Sequence, residues 1–462
     1  MLGMLKLSPA PRVARRTRRI ADRAVDPVKQ LVRWGLGHGI PRAVIGRAAR
    51  QGDLQGRLIT AAAENGRTDR LVPLFDELRG RGILAPGKFS YMTAHHAAVK
   101  EVLSSNDFTT GLPTSAGSMS RLGRWAATDV FNPVQPPSLL VTEPPDHTRY
   151  RKLVTRVFSV RAVERLRGRA EEIATDLLDA IDPSSPVDLV EAYCSQLPVI
   201  LISEILGVPD ERRQRILELG NQAGASLDLG VGWRQFRTIE RALVEFDEWL
   251  TGHLEHLRRQ PVDDPDHQSL LSQLLRAQED GVGLTERELK ATAGLVLAAG
   301  FETTVNLLGN GIVLLSEHPD QLRHLRDGSA TWGNAVEEVL RFDPPVLLTG
   351  RISLRDTAIG GQQVRGGHPL TTILAAANRD PAVFEEPERF DVMRENAREH
   401  VSFSAGRHYC LGAQLARMEG EVGLRSIFER FPDLRIEPGA MRRETRILRG
   451  WDRLPARLTS GT

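Results

Sequence analysis

Thr285-Glu286-Arg287-Glu288 has the spacing of a capping box, and the apolar pattern over residues 289–315 then meets no proline before Pro319. It predicts one helix of about thirty residues, roughly 45 Å long at 1.5 Å per residue. A helix of that length crosses a whole domain, so the rest of the chain has to pack around it. In its middle lies Ala299-Gly300-Phe301-Glu302-Thr303-Thr304. A glycine in a helix interior costs on the order of 1 kcal/mol against alanine, so either something approaches the backbone there or the helix bulges. Glu302 and Thr303 set an acid beside an alcohol, a pair able to bind water and relay protons. The alternative is that the hydroxyls bond back to the preceding turn and Glu302 pairs with a nearby base.

A second stretch, Phe403-Ser404-Ala405-Gly406-Arg407-His408-Tyr409-Cys410-Leu411-Gly412, reads as a loop that holds one thiolate. Gly406 and Gly412 bracket the cysteine, and a helical pattern carrying Leu415, Met418, Val422 and Phe428 begins at once. Cys410 is therefore expected at a helix N-terminus, where the macrodipole and free N–H groups lower a thiol's pKa and make it a better metal ligand. Arg407 and His408 stand ready to meet an anionic group of whatever the sulfur binds. Taken alone, a cysteine is a small buried hydrophobe, the reading given to Cys194 in its apolar segment. Two cysteines in 462 residues make no disulfide framework, and a reducing cytoplasm fits them.

The run Phe-x-x-Gly-x-His-x-Cys-x-Gly followed by a helix resembles the haem-binding loop of the cytochrome P-450 family, with Ser404 where the family usually has glycine. The resemblance implies haem b with the Cys410 thiolate as axial ligand, O2 as co-substrate, and Phe403, Gly406, His408 and Gly412 around the cofactor. It makes the central-helix stretch an oxygen-binding groove: Ala299 and Gly300 beside bound oxygen, Glu302 and Thr303 as the catalytic acid and alcohol. Phe301 stands where relatives often have a polar residue. In Glu143-Pro144-Pro145-Asp146-His147-Thr148-Arg149-Tyr150-Arg151, His147 and Arg151 are four apart and share a helix face. The family's His-x-x-x-Arg signature gives them the haem propionates, with Arg351 as a further contact. Glu338-Val339-Leu340-Arg341 resembles the Glu-x-x-Arg motif of a structural ion-pair frame, for which Arg389 is the expected third member and Arg394 the alternative.

The resemblance implies a mainly α protein with small β-sheets, haem lying between the long helix and the cysteine loop. Gly82 to Thr93 reads as a hairpin turning at Pro86-Gly87, and short strands are expected over 357–364 and 370–377. Residues 109–137 read as a long binding loop. Around 220–233 the chain is expected to roof the pocket, with Val346–Thr349 and Leu448–Trp451 reaching into it. Residues 58–462 are read as one catalytic domain, and 260–267 as a charged surface connection. Residues 1–57 are read as a basic extension, solvated or partly disordered, or else in peripheral contact with anionic lipid. A net charge of +2 is no nucleic-acid signature, and no run reads as a bilayer span. No flavin or nicotinamide domain is evident, so the resemblance implies a cytoplasmic monooxygenase acting on an apolar substrate with electrons from a ferredoxin and its reductase. Arg407, Arg417 and Arg425 are candidates for the ferredoxin face, solvated helix charge being the alternative.

Overall fold

The computed structural model describes residues 26–64, 68–110, 118–156, 158–259, 269–279 and 281–458. The chain opens with α1 (Pro27–Trp34), capped by the Asp26 carboxylate on the Val28 and Lys29 N–H groups, and continues through one π-helical turn into α2 (Ile40–Arg50). Next comes α3 (Leu54–Ala63), whose Leu54 and Leu58 lie in the same apolar cluster as Leu71, Phe75 and Met92. The boundary expected at residue 57 therefore falls inside a packed helix, and residues 27–50 and 54–57 are helical. The Arg33 guanidinium grips Glu240 (2.5 and 2.7 Å) and Trp34 Nε1 donates to Val231 O (2.9 Å), fixing this region on the body. The rest of the extension, and residues 260–267, lie outside the described residues.

The hairpin forms from β1 (Ala85–Pro86) and β2 (Tyr91–Thr93), with the tighter turn at Gly87–Ser90. With β3 (Phe108–Thr109), β4 (Thr349–Ser353) and β5 (Pro369–Thr372) these make a five-stranded sheet ordered β1-β2-β5-β4-β3. Only β2–β5 is parallel. This sheet carries Arg351, on β4, whose guanidinium reaches Ser404 of the cysteine loop. In the 109–137 segment, described in part, α4 (Ser118–Ala126) is helical. The helices α5 (Asp146–Thr155), α6 (Gln196–Leu206), α7 (Asp210–Gly224) and α8 (Trp233–Arg259) follow. Gly207, at φ +72°, ends α6.

The central helix α9 spans Glu286–Glu317, with both halves of the Thr285–Glu288 capping box in place. Every residue from Val305 to Leu315 is buried. A helix without a polar face has to be wrapped on all sides, which is what makes α9 the axis of the domain. It holds a window apolar enough to cross a bilayer by length and composition. However, 78% of that window is buried inside protein, as befits a core helix. Glycines let neighbours close on it: a Cβ on Gly311 would stand 2.7 Å from Leu424 Cδ1 of α11 (Ala413–Arg430), the helix after the cysteine loop. Between them in sequence, α10 (Trp332–Phe342) carries the Glu-x-x-Arg pair. The chain then closes with a two-stranded unit, β6 (Met441–Arg442) and β7 (Trp451–Arg453).

Candidate haem-thiolate site

The cysteine loop is a set of backbone constraints. Ser404 and Gly406 both take left-handed conformations, φ +64° and +65°. A Cβ on Gly406 would come within 2.6 Å of Leu103 O and 2.7 Å of Ser104 Cα, so only glycine fits there. Cys410 N–H donates to Phe403 O (2.9 Å), closing the loop three residues before α11 starts. Cys194 is buried in the core, whereas Cys410 is exposed as a residue although its thiol lies deep among protein atoms. Burial pushes that thiol above its ordinary value, against the opposing pull of the Gly412 N–H and of the Arg151 and Arg417 guanidiniums. The lowering expected from the helix start is thus present in its components but outweighed. A coordinated metal removes this penalty, because thiolate bound to a cation is deprotonated outright.

Four basic side chains converge beside this loop. α5 is docked to the central helix by Tyr150 Oη donating to Glu288 O (2.6 Å), and that contact orients both His147 and Arg151. Arg151 Nη2 donates to Tyr409 O (2.6 Å), and the His147 and His408 rings stand 4.6 Å apart between centroids. Arg351 donates to Gly350 O (2.8 Å) and reaches Ser404 Oγ (3.5 Å). Glu143 is the carboxylate among them, 3.4 Å from His408 Nε2 and 3.0 Å from Arg407 Nε. Burial would raise Glu143, yet bonds from His408, the Thr110 N–H and the Thr109 hydroxyl hold it at about 2. Burial, His408 and Arg151 together push His147 down to about 4, and burial pushes Arg351 down to about 10. His147 Nε2 is buried without a hydrogen-bond partner. A buried orphan nitrogen among desolvated cations calls for an anionic acceptor, and two carboxylates of a haem meet that need.

On the central helix the hydroxyls take the alternative route. Thr303 Oγ1 donates to Ala299 O (2.6 Å) and Thr304 Oγ1 to Gly300 O (2.9 Å). Glu302 is buried and paired with Arg443, whose Nε also donates to Trp451 O (3.1 Å). A Cβ on Gly300 would meet only Ile202, at 3.4 Å or more, whereas at Gly294 and Gly311 of the same helix Phe131 and Leu424 stand closer. One acid escaped the sequence reading: Glu419 of α11 is buried against Thr304, and burial pushes it up to about 8, so it holds a proton at neutral pH. Nothing in its local pattern sets it apart from an exposed helix acid.

The ion-pair frame forms with one correction. Glu338 and Arg341 are completely buried and doubly bonded (2.7 and 2.8 Å). The third member is Arg394, its Nε 3.4 Å from Glu338, and not Arg389. Arg389 turns its side chain to solvent towards Glu386 and Asp391 and contributes its carbonyl, which accepts from Arg341 Nη2 (3.0 Å). The neighbouring Glu337, which the sequence reading passed over, binds His400 (3.0 Å), Arg398 (3.2 Å) and Arg417 (2.8 Å) and so ties α10 to the cysteine helix. Arg417 also lies over the Phe403 ring, 4.6 Å from its centroid. Since Arg425 pairs with Glu171 and Arg407 with Glu143, all three arginines considered for a ferredoxin face have carboxylate partners.

A cysteine loop entering a helix, a basic cluster beside it and a long central helix are the features of a haem-thiolate protein. The cytochrome P450 family model matches residues 227–331 and 333–445. A protein named cytochrome P450 140 in Mycobacterium tuberculosis is 48% identical over 440 residues, covering 93% of this chain and 98% of its own. The 6-deoxyerythronolide B hydroxylase of Saccharopolyspora erythraea is 40% identical over 321 residues, 69% of this chain and 77% of that one. Among solved structures, P450BioI in complex with an acyl carrier protein ligated to hexadec-9Z-enoic acid superposes with TM-score 0.76 at 28% identity, covering 86% of this chain and all of that one. The chain belongs to the cytochrome P450 family and is a monooxygenase with haem b, a cysteine thiolate ligand and O2 as co-substrate.

Proposed function

We propose that the enzyme hydroxylates or epoxidises an apolar organic substrate, with electrons delivered by a separate ferredoxin and its reductase. The observation that carries the site is the orphaned His147 Nε2 inside the cluster of His408, Arg151 and Arg351, next to the Cys410 loop. Cys410 holds the iron, His147, His408, Arg151 and Arg351 take the propionates, and Phe403, Gly406 and Gly412 shape the loop. Bound haem supplies the iron at which O2 is activated for transfer of one oxygen atom to substrate.

Around that centre the chain supplies orientation, protons and dryness. Thr303, while donating to Ala299 O, keeps lone pairs that can accept a hydrogen bond from water or ligand in the groove beside Ala299 and Gly300. Glu302 is the acid that feeds it, once Arg443 yields. The face of α9 opposite the cysteine loop is roofed by α7, where a Cβ on Gly220 would lie 3.3 Å from Leu297 and one on Gly224 3.1 Å from Glu302. Val346 bridges Leu448 in the antiparallel sense, so residues 345–347 lie beside 447–449, and the two expected pocket segments meet at that point. The relatives' names, one for a hydroxylase of 6-deoxyerythronolide B and one for a P450 with a long unsaturated acyl chain on its carrier, support an extended hydrocarbon substrate.

The test is the reduced carbon-monoxide difference spectrum of the purified protein. A Soret band strongly red-shifted from that of histidine-ligated haem is expected, and Cys410→Ser abolishes it together with turnover. An unchanged band in that variant would sink the ligand assignment. Electron supply is read separately: NADPH-driven product formation requires added ferredoxin and reductase.

A further inference from the structure

The helix α1 is inside out. Gln30 is buried at 7% exposure, Arg33 is engaged by Glu240, and Trp34 Nε1 is bonded to Val231 O, while Val28 and Leu31 are 60% and 51% exposed. An amphipathic helix serving only the core would do the reverse. On α2, Ile40, Val44 and Arg47 follow at i, i+4 and i+7, all exposed on one face, while Ile45 and Ala48 turn to the core. α4 packs against α1, with Lys29 Nζ 5.2 Å from the Trp125 ring centroid, and adds the exposed Leu122 and Trp125. Of the fourteen exposed large hydrophobics among the described residues, six lie on these three short helices.

The charge around this face is mainly basic, with Asp26 and Asp129 as acids beside it. Arg47, Arg50, Arg121 and Arg124 are exposed beside the apolar residues. Where α1 meets α8, a cavity of about 240 Å³ is lined by Gln30, Trp233, Arg237, Glu240 and Arg241. Arg33 already occupies Glu240, and among the described residues no ion pair is formed by the Arg237 and Arg241 guanidiniums. Leading into α1, residues 1–25 carry seven Lys or Arg against one acid, Asp22. Apolar side chains with a tryptophan among arginines are what an anionic bilayer surface binds: the hydrocarbon takes the aliphatic groups, and the headgroups take the cations.

We propose that the face formed by α1, α2 and α4 docks on anionic lipid, seating the enzyme peripherally on a membrane by its N-terminal helices. This does not rest on the oxygenase assignment, since every residue named lies outside the haem site.

The full-length, haem-loaded protein is sedimented with vesicles of phosphatidylcholine alone or of phosphatidylcholine with phosphatidylglycerol. At least tenfold stronger partitioning to the anionic vesicles is expected, falling as salt is raised. The triple variant V28E/L31E/V44E, whose changes are all on exposed positions, is expected to lose at least tenfold of that binding with its carbon-monoxide spectrum intact. Equal binding by the triple variant and the parent would overturn the proposal, because the basic residues alone would then suffice. It is equally overturned if the face is found covered by a second copy that the same substitutions dissociate, or if an acidic carrier protein and not the vesicles binds there.

Discussion

Glu338 and Glu302 are both buried carboxylates facing arginine, but their surroundings differ. Glu338 is held twice by Arg341, again by Arg394, and accepts from the Asp391 N–H (2.9 Å); Arg341 in turn donates to the carbonyls of Asn378, Pro387 and Arg389. Its neighbour Glu337 binds two arginines and a histidine of its own. Glu302 has the Arg443 side chain, which comes from the turn between β6 and β7. The cysteine side is thus cross-linked by charges that share their partners, whereas Glu302 has one ion-pair partner among the described residues. A redundant network fixes the position of the thiolate; a single contact can open when a proton has to pass.

The largest way to break this comparison is to empty one member of the network. Glu338→Ala leaves Arg341 buried and uncompensated, and the expected loss is about 3–5 kcal/mol of stability, read by denaturant titration and by haem-loaded yield. Arg394→Ala should fall next, whereas Arg389→Ala, which leaves its carbonyl in place, should cost less than about 1 kcal/mol. If Arg389→Ala proved the worse of the two, the frame has been drawn with the wrong third member.

Acid probes the same side without mutation. Burial raises Glu337, but the bonds from His400 and Arg417 overcome it and hold the carboxyl at about 2, below its ordinary value of 4.5. A depressed carboxyl contributes stability that is complete above the unfolded value and lost as pH falls through the folded one. The decline should therefore run from about pH 4.5 to about 2 and amount to a few kcal/mol. Glu337→Gln is expected to be less stable at neutral pH and to flatten that decline; a parallel curve would remove Glu337 as its cause.

On the oxygen side the expected effects are on chemistry and not on folding. Thr303→Ala removes a hydroxyl bonded only to its own helix, so stability should change by less than about 1 kcal/mol. Oxygen consumption should continue while product per O2 falls several-fold, measured by oxygen uptake against product. Equal coupling in both proteins would take Thr303 out of the proton path.

How much of this was legible in the sequence follows the range of each interaction. α9 could be read because a capping box and an uninterrupted apolar run are local signals, and the thiolate loop because Gly406 and Cys410 stand at fixed spacing. His147 and Arg151 were readable as a helical i, i+4 pair. What failed was long-range choice among like residues: Arg389 and Arg394 are five positions apart, and only the backbone path between them decides which side chain turns inward. Glu337 was hidden by adjacency to Glu338, and Glu419 by burial that a helix acid does not advertise. The pairing of Glu302 with Arg443 spans 141 positions, beyond any local pattern.

The smallest effect concerns the position where this chain departs from its family's loop. Ser404 sits at φ +64°, a conformation that costs a residue with a Cβ on the order of 1–2 kcal/mol. Its hydroxyl gives back little, because the contact with Arg351 Nη2 is 3.5 Å long. Ser404→Gly removes the steric cost but makes the unfolded chain more flexible, which subtracts about 0.4–1 kcal/mol. The net expectation is a stabilisation of about 0.5–1 kcal/mol, visible as a rise of a few degrees at most in the loss of the thiolate band on heating. If the variant is instead less stable, the Ser404–Arg351 contact is worth more than its length suggests. The serine would then belong to the cluster around the propionates, and not merely to the turn that carries Cys410.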